Sequence, residues 1–174
     1  MVSYPATILM EIRRARTDAG KNLDVALKDL HGYEGKVGWF KDSRYPEDQG
    51  GDFVAAIAAQ NEYGNPSKNI PPRPFMRPTI IEKQSAWLAI TAKLAAQVLE
   101  GKRSARDAME VIAIQAENDV SRKIKSIQSP PLAARTIQAR LARYKNQKKV
   151  GLLTKPLIDT GLMIATLTHE VSKT

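Results

Sequence analysis

The chain has 174 residues, a net charge of +9 and no cysteine. Its length suits a single domain with a substantial core, and the lack of cysteine excludes disulfides, thiol catalysis and thiolate metal sites. No stretch reaches the roughly 18 consecutive apolar residues of a membrane span, and the N-terminus lacks a secretory signal pattern, so a soluble intracellular protein without membrane contact is expected. The spacing of the two histidines, His31 and His169, does not resemble a metal-binding motif.

The positive charge is concentrated in one part of the chain. Between Asp119 and Asp159 there is no acidic residue, whereas the cationic residues there are Arg122, Lys123, Lys125, Arg135, Arg140, Arg143, Lys145, Lys148, Lys149 and Lys155. A chain polarised in this way is predicted to present a positive surface to nucleic acid, to an acidic protein or to a negatively charged channel. The alternative is a solvated helix face that only improves solubility.

The first 32 residues are predicted to form an N-terminal helical segment. Apolar periodicity indicates two short helices, at residues 8–16 and 23–30, separated by the turn-forming residues 18–20. Aromatic and β-branched residues between glycines and turn residues then predict a strand at 36–40.

A polar loop over residues 42–52 precedes an alanine-rich helix over 53–63. Asp52 is suited to cap the start of this helix, and Gly64 is suited to end it. The acidic residues of the loop do not have the spacing of an EF-hand, so a calcium site is not expected.

Two long amphipathic helices are predicted next and are expected to pack as a pair. The first begins at Thr79 and ends at Gly101, and the second begins with Ser104 and Asp107 in a capping box. The apolar residues of the first helix are predicted to form one core-facing stripe, made of Ile80, Trp87, Ile90, Leu94 and Val98 and widened by Ile81, Leu88 and Leu99. Two prolines then end the second helix, and a basic helix with a narrow apolar edge is predicted at about 132–145.

The tail completes the predicted fold. A helical turn is expected from Leu162, followed by a strand through 166–171 that can pair with the strand at 36–40. The fold class is therefore α+β, with a small antiparallel sheet packed against several helices, a long helical pair and a basic helix. Residues 33–174 are predicted to form one domain, which includes a helical insertion at about 79–147.

A proline run at residues 69–78 reads Asn-Ile-Pro-Pro-Arg-Pro-Phe-Met-Arg-Pro. Its prolines fix φ and remove backbone donors, which predicts a stiff, extended segment that holds out Ile70, Arg73, Phe75, Met76 and Arg77 for contact. Pro71 and Pro74 formally give the PxxP pattern that SH3-type modules bind. The favoured alternative is an ordered connector that docks on its own domain or on a neighbouring subunit.

Sequence patterns typical of catalysis are not found. The chain has no glycine-rich phosphate loop and no GxSxG nucleophile elbow. Asp159-Thr-Gly161 coincides with the aspartic protease triplet, but a second such carboxylate is required for that chemistry, so a local turn is predicted instead. We therefore expect no enzyme activity, no cofactor and no metal.

Several segments, taken in order, resemble tail-completion or neck proteins of long-tailed bacteriophages, a family also described as minor tail or virion morphogenesis proteins. The resemblance spans roughly residues 33–171 and is carried by Val37-Gly-Trp-Phe40, Tyr45-Pro46, the helix that ends in Glu62-Tyr-Gly64, the proline run, Pro131-Leu-Ala-Ala-Arg-Thr-Ile137 and Pro156-Leu-Ile-Asp-Thr-Gly161. The chain departs from the family at Leu162, where a cationic residue is common, and in its long helical insertion.

The resemblance implies a non-catalytic α+β subunit of a homo-oligomeric ring, expected to be a hexamer, at the head-tail interface of a virion. Its partners would be the tail tube or tail terminator protein, the head connector or adaptor proteins, and genomic DNA in the channel through loose contacts. Such a protein is made in the host cytoplasm and ends in the virion neck.

Two groups of candidate contact residues follow from the sequence and the resemblance. The first group would contact a subunit or neighbour and consists of Arg73, Phe75, Met76 and Arg77. The second group would face DNA in the channel or an acidic partner and consists of Arg135, Arg140, Arg143, Lys145, Lys148 and Lys149. The main alternative is a monomeric, non-specific nucleic-acid-binding protein, and a weaker one is an adaptor that is recruited through PxxP.

Overall fold

The structure, a computed structural model, describes residues 18–40, 43–47, 50–145 and 153–174. Its helices and strands are α1 (Asp18–Leu30), β1 (Tyr33–Gly38), α2 (Val54–Tyr63), α3 (Met76–Leu99), α4 (Ala105–Ser126), α5 (Ala134–Tyr144), α6 (Leu162–Ala165) and β2 (Thr168–Lys173). The predicted α+β class, with a small antiparallel sheet and several helices, is confirmed.

The two strands form one antiparallel pair whose register runs from Tyr33 opposite Lys173 to Gly38 opposite Thr168. The predicted pairing of the N-terminal strand with the tail is confirmed, but β1 ends before Trp39. The indole of Trp39 instead donates from Nε1 to the carbonyl of Met163 (2.8 Å) and meets the Phe75 ring edge-on at 5.7 Å. This aromatic pair therefore belongs to the core beside the sheet.

Helix α4 is the central element because it packs against β1, β2 and α3. It begins as predicted at Ser104, whose Oγ accepts a hydrogen bond from the N–H of Asp107 (3.0 Å). One core cluster joins α4 to the sheet side of the molecule and contains Val54, Ala58, Phe75, Val120, Ile124, Met163 and Leu167. The core thus draws residues from most of the chain, with α4 in its middle.

A second core cluster joins α1 to the helical pair. Leu94 and Val98 of α3 pack there with two alanines of α4, and Ala26 and Leu30 of α1 cover them. Helix α1 begins at Asp18 and therefore includes residues 18–20, where a break was predicted. A single glycine inside a helix lowers the stability of the helix by only about 1 kcal/mol, so Gly20 does not prevent helix formation. The other helix predicted in this segment, at 8–16, lies outside the described residues.

Helix α3 is covered by the rest of the domain on one side, and several of its apolar residues stay exposed. Its buried residues are Thr79, Leu94 and Val98, of which Leu94 and Val98 belong to the predicted core stripe. Ile80, also predicted in that stripe, is 50% exposed. The predicted widening of that stripe is wrong, because Ile81, Leu88 and Leu99 are 70%, 68% and 40% exposed. None of these three side chains belongs to either core cluster, and together they give α3 an exposed apolar surface.

Candidate interaction site

The proline run is anchored in its own domain. The N–H of Arg73 donates to the Asn61 carbonyl (2.6 Å), and the Arg73 guanidinium donates from Nε to Pro130 O (2.7 Å) and from Nη2 to Pro131 O (2.9 Å). Arg73 is 5% exposed and Phe75 is 1% exposed. Both lie inside the chain, which corrects the prediction that these two side chains are held out for a neighbouring subunit.

The run ends earlier than predicted because Glu62 caps the start of α3. Its Oε2 accepts from the N–H groups of Phe75 (2.6 Å) and Met76 (2.9 Å), and its Oε1 accepts from the N–H (3.1 Å) and Nε (3.0 Å) of Arg77. The first N–H groups of a helix have no internal partner and carry partial positive charge, so a carboxylate satisfies them well. Pro78 fits in this first turn because its missing donor is not needed there.

Burial alone would raise the pKa of Glu62, but the hydrogen bonds from Phe75, Met76 and Arg77 outweigh it and lower that pKa below its ordinary value. Gly64 makes this arrangement possible, because its φ is +79° and an added Cβ would lie 3.0 Å from Pro72. Sequence patterns did not indicate this role of Glu62, because Thr79 offered a plausible helix start by itself. The observed start at Met76 has no Ser, Thr, Asp or Asn to cap it, and Glu62 at the end of α2 takes that place.

Arg77 is the exposed member of the first predicted contact group. Its guanidinium lies 4.8 Å from the centre of the Tyr63 ring, and the side chains of Tyr63 and Arg77 are both largely exposed. Met76 is half-buried against the core cluster that contains Phe75. Of the four predicted residues, Arg77 therefore remains the candidate for contact with another protein.

In the second predicted group, Arg140 is an internal residue that is 6% exposed. Its Nη1 donates to the carbonyls of Lys155 (2.9 Å), Ile158 (2.9 Å) and Leu153 (3.4 Å), and its Nε lies 3.4 Å from Asp159. Burial lowers the pKa of Arg140, but the group stays charged because an arginine begins so far above neutrality. Arg140 thus fixes α5 to the chain at 153–159, which corrects its predicted place on a DNA-facing surface.

Asp159 holds the other end of this connection. Its carboxylate accepts from Nη1 of Arg143 (2.7 Å) and from the hydroxyl of Tyr144 (2.8 Å). Gly161 follows with a φ of +84° and begins α6, as expected of a local turn. Arg135 and Lys145 are exposed on or beside α5, whereas Lys148 and Lys149 lie outside the described residues.

The proline run and α5 face each other across a cleft of about 320 Å³. The cleft is bounded by α2 and by the turn at Asp159, and the guanidinium of Arg135 donates across it to the Lys68 carbonyl (3.4 Å). The structure thus brings Arg73, from the first predicted group, beside Arg135, Arg140 and Arg143 from the second. No sequence pattern indicated that these two groups share a site.

A separate charged cluster joins β2 to α4. His169 contacts Oε2 of Glu117 through Nδ1 (2.5 Å) and Oε1 of Glu110 through Nε2 (3.0 Å). Hydrogen bonds to Glu117 and Glu110 raise the pKa of His169 above its ordinary value, although partial burial opposes the shift. The two glutamates lie about two helical turns apart, so the imidazole bridges them on one side of α4.

Because the pKa of His169 is raised in the folded state, its stabilising effect is complete below the unfolded pKa of about 6.5 and is lost as pH rises through the folded value. We expect the free energy of unfolding to fall across that range. His169→Gln should remove this pH dependence, as measured by urea denaturation from pH 5.5 to 8.5. His31→Gln is the control, and an unchanged pH profile in His169→Gln would refute the assignment.

The described residues contain no helix with both the length and the apolar composition needed to cross a membrane. Within the same part of the chain, no group of three or more His, Cys, Asp or Glu residues is arranged to hold a metal ion. The fold and the site together define a small α+β domain with a cationic cleft and an exposed apolar helix face. The chain has no significant match among known protein families, curated protein sequences or solved structures.

Proposed function

We propose that this chain is a structural virion assembly protein, a tail-completion or neck ring subunit that joins a phage tail to the DNA-filled head. The observation that supports this most is the α3 stripe, defined as Arg77, Ile81, Leu88 and Leu99. These residues share one side of the helix because their spacings are close to whole numbers of turns. Extended apolar surface on a folded domain marks a site for another protein.

The shape of this surface favours a rigid assembly contact. Helix α3 has 24 residues and is therefore about 36 Å long. Its start is fixed by Glu62, and the exposed pair of Tyr63 and Arg77 adds an aromatic and cationic anchor at that end. In a ring, such a stripe would contact a different surface of the next subunit, since contacts that close a ring are heterologous.

The exposed stripe supports assembly in general, and the order of the sequence motifs supports a neck protein in particular. Two of the segments that carry the resemblance, the proline run and the turn at Asp159, border the same cleft. A ring around a DNA channel would also use the exposed cations Arg135 and Lys145, which can contact phosphates without reading bases. Proteins that form the neck of a virion would need both kinds of surface.

Leu88→Asp should prevent assembly while leaving the fold intact, because it places a charge in the middle of the α3 stripe at a highly exposed position. We expect a loss of at least tenfold in the fraction of chain bound to purified tails, with a denaturation midpoint close to that of the wild type. Lys93→Asp is the control, since it changes charge more strongly but lies on another side of α3.

Native mass measurement and negative-stain imaging of the wild type, with and without purified tails, test the proposal as a whole. The expected result is a ring that caps the tail end. A chain that stays monomeric and does not bind tails would contradict the proposal. If that monomer also bound DNA tightly with a steep salt dependence, a non-specific nucleic-acid-binding protein would be the better description.

A further inference from the structure

The cleft between the proline run and α5 combines an apolar floor with a cationic rim. Its apolar lining residues are Ile57, Ile70, Leu132, Leu157, Leu162 and Met163. The cleft volume of about 320 Å³ lies at the lower end of the range found for small-ligand pockets. We propose that this cleft binds a short, extended, acidic segment of another protein, with an apolar side chain on the floor and carboxylates at the rim.

The charge of the lining favours carboxylates. Among the described residues, five cations line the cleft, namely Lys68, Arg73, Arg135, Arg140 and Arg143, against the two acids Asp52 and Asp159. Asp159 is ion-paired with Arg143 and Arg140, so charges of both signs cancel there, and five cations against two acids leave the described lining with a net charge of +3. Lys68 and Arg135 are both exposed. Nη2 of Arg135 donates to the Lys68 carbonyl, but the other N–H groups of this guanidinium and the Lys68 ammonium can meet a carboxylate, while the buried guanidiniums add positive potential.

The lining also favours a protein segment over nucleic acid. Single-stranded nucleic acids are held in large part by stacking on aromatic side chains, and among the described residues that line this cleft Tyr45 is the one aromatic. Aliphatic floor residues are instead complementary to Leu, Ile or Met side chains. The groove between an extended proline segment and a helix suits an extended chain better than a second helix.

The N-terminal segment of a second copy does not fit this site. Its sequence carries Arg13, Arg14 and Arg16 beside the single acid Glu11, so it would bring positive charge to a positive rim. This segment is thereby excluded, and the proposed occupant is a segment of a different protein. The inference rests on the proposed function only in placing that protein among the neighbours of the assembly.

The test begins with selection of random seven-residue peptides, displayed on phage, against the full-length chain. A selected peptide is then synthesised with a fluorescent label and its affinity measured by anisotropy. We expect enrichment of Asp or Glu beside Leu, Ile or Met. Arg135→Glu and Lys68→Glu, on opposite walls, should each weaken binding at least tenfold, whereas Arg106→Glu, an exposed change on α4, should weaken it less than twofold.

Selection of no peptide, or of peptides without acidic residues, would overturn the inference. So would equal losses in the cleft variants and in Arg106→Glu, because that pattern indicates general charge attraction. Displacement of the peptide by an oligothymidine of equal charge that binds more tightly would assign the cleft to nucleic acid instead. The assay uses the isolated chain, so its result is independent of assembly. If the chain bound the peptide but stayed monomeric and did not bind tails, the proposed function would be contradicted and this inference would stand.

Discussion

Glu62→Gln should lower the free energy of unfolding by about 3 kcal/mol, the largest effect expected of any isosteric change in this chain. The carboxylate is 3% exposed and accepts four hydrogen bonds at the start of α3. An amide of the same shape has one oxygen and one NH₂ group, so at least one pair of buried donors would face another donor. Urea denaturation should show a lower midpoint with an unchanged slope.

Glu100→Gln is the matched control because Glu100 lies at the other end of α3 and its ion pair with Lys102 is solvent-exposed. We expect a change within about 0.5 kcal/mol for this variant. Equal effects of the two substitutions would show that general charge, and not the cap, determines the result.

The direction of the pH effect gives a second readout for Glu62. Since its folded pKa is below the ordinary value, its contribution is present above the unfolded pKa of about 4.3 and is lost as pH falls through the folded value. The stability difference between the wild type and Glu62→Gln should therefore shrink in acid. A difference that is constant from pH 6 to pH 3 would show that the carboxylate charge is not what α3 requires.

The elements that sequence alone located are those with local causes. The capping box that starts α4 lies within four consecutive residues, from Ser104 to Asp107, so it could be read directly from the sequence. The tail strand could be paired with the first strand because both have recognisable strand patterns. The start of α3 could not be found in this way. Its cap comes from Glu62, on another helix, so the prolines that suggested an extended segment end inside the first turn of a helix.

The candidate site shows the same division. Charge counting located a basic segment correctly but could not separate its arginines by role, because burial depends on which carbonyls the folded chain brings near. Arg140 meets three carbonyls and is buried, whereas Arg135 of the same helix stays exposed. Likewise, helical periodicity placed Ile81 and Leu88 in the core, because an apolar stripe has the same pattern whether its partner is in the chain or in a neighbour.

Arg140→Met should be as damaging as the change at Glu62, with a loss of about 3 kcal/mol in the free energy of unfolding. Methionine keeps much of the side-chain volume but leaves the carbonyls of Lys155 and Ile158 without their donor in a buried site. Arg140→Lys should be intermediate, since an ammonium cannot reproduce the planar guanidinium contacts. Amide hydrogen exchange should show that protection is lost first in α5, the helix that Arg140 fixes.

Arg135→Met is the control for Arg140→Met, because it removes one positive charge from the same helix without removing a buried side chain. Arg135 is exposed, so this substitution removes the same charge with a stability change within about 0.5 kcal/mol. If DNA contact were the role of Arg140, its loss would reduce DNA retention in assembled particles while the isolated subunit kept its stability. Because the Arg140 guanidinium is buried, we expect the opposite: the isolated Arg140→Met subunit is already less stable than the wild type before assembly. The Arg135→Met subunit should fold normally, so any loss of partner or DNA binding in that variant reports on the exposed charge itself.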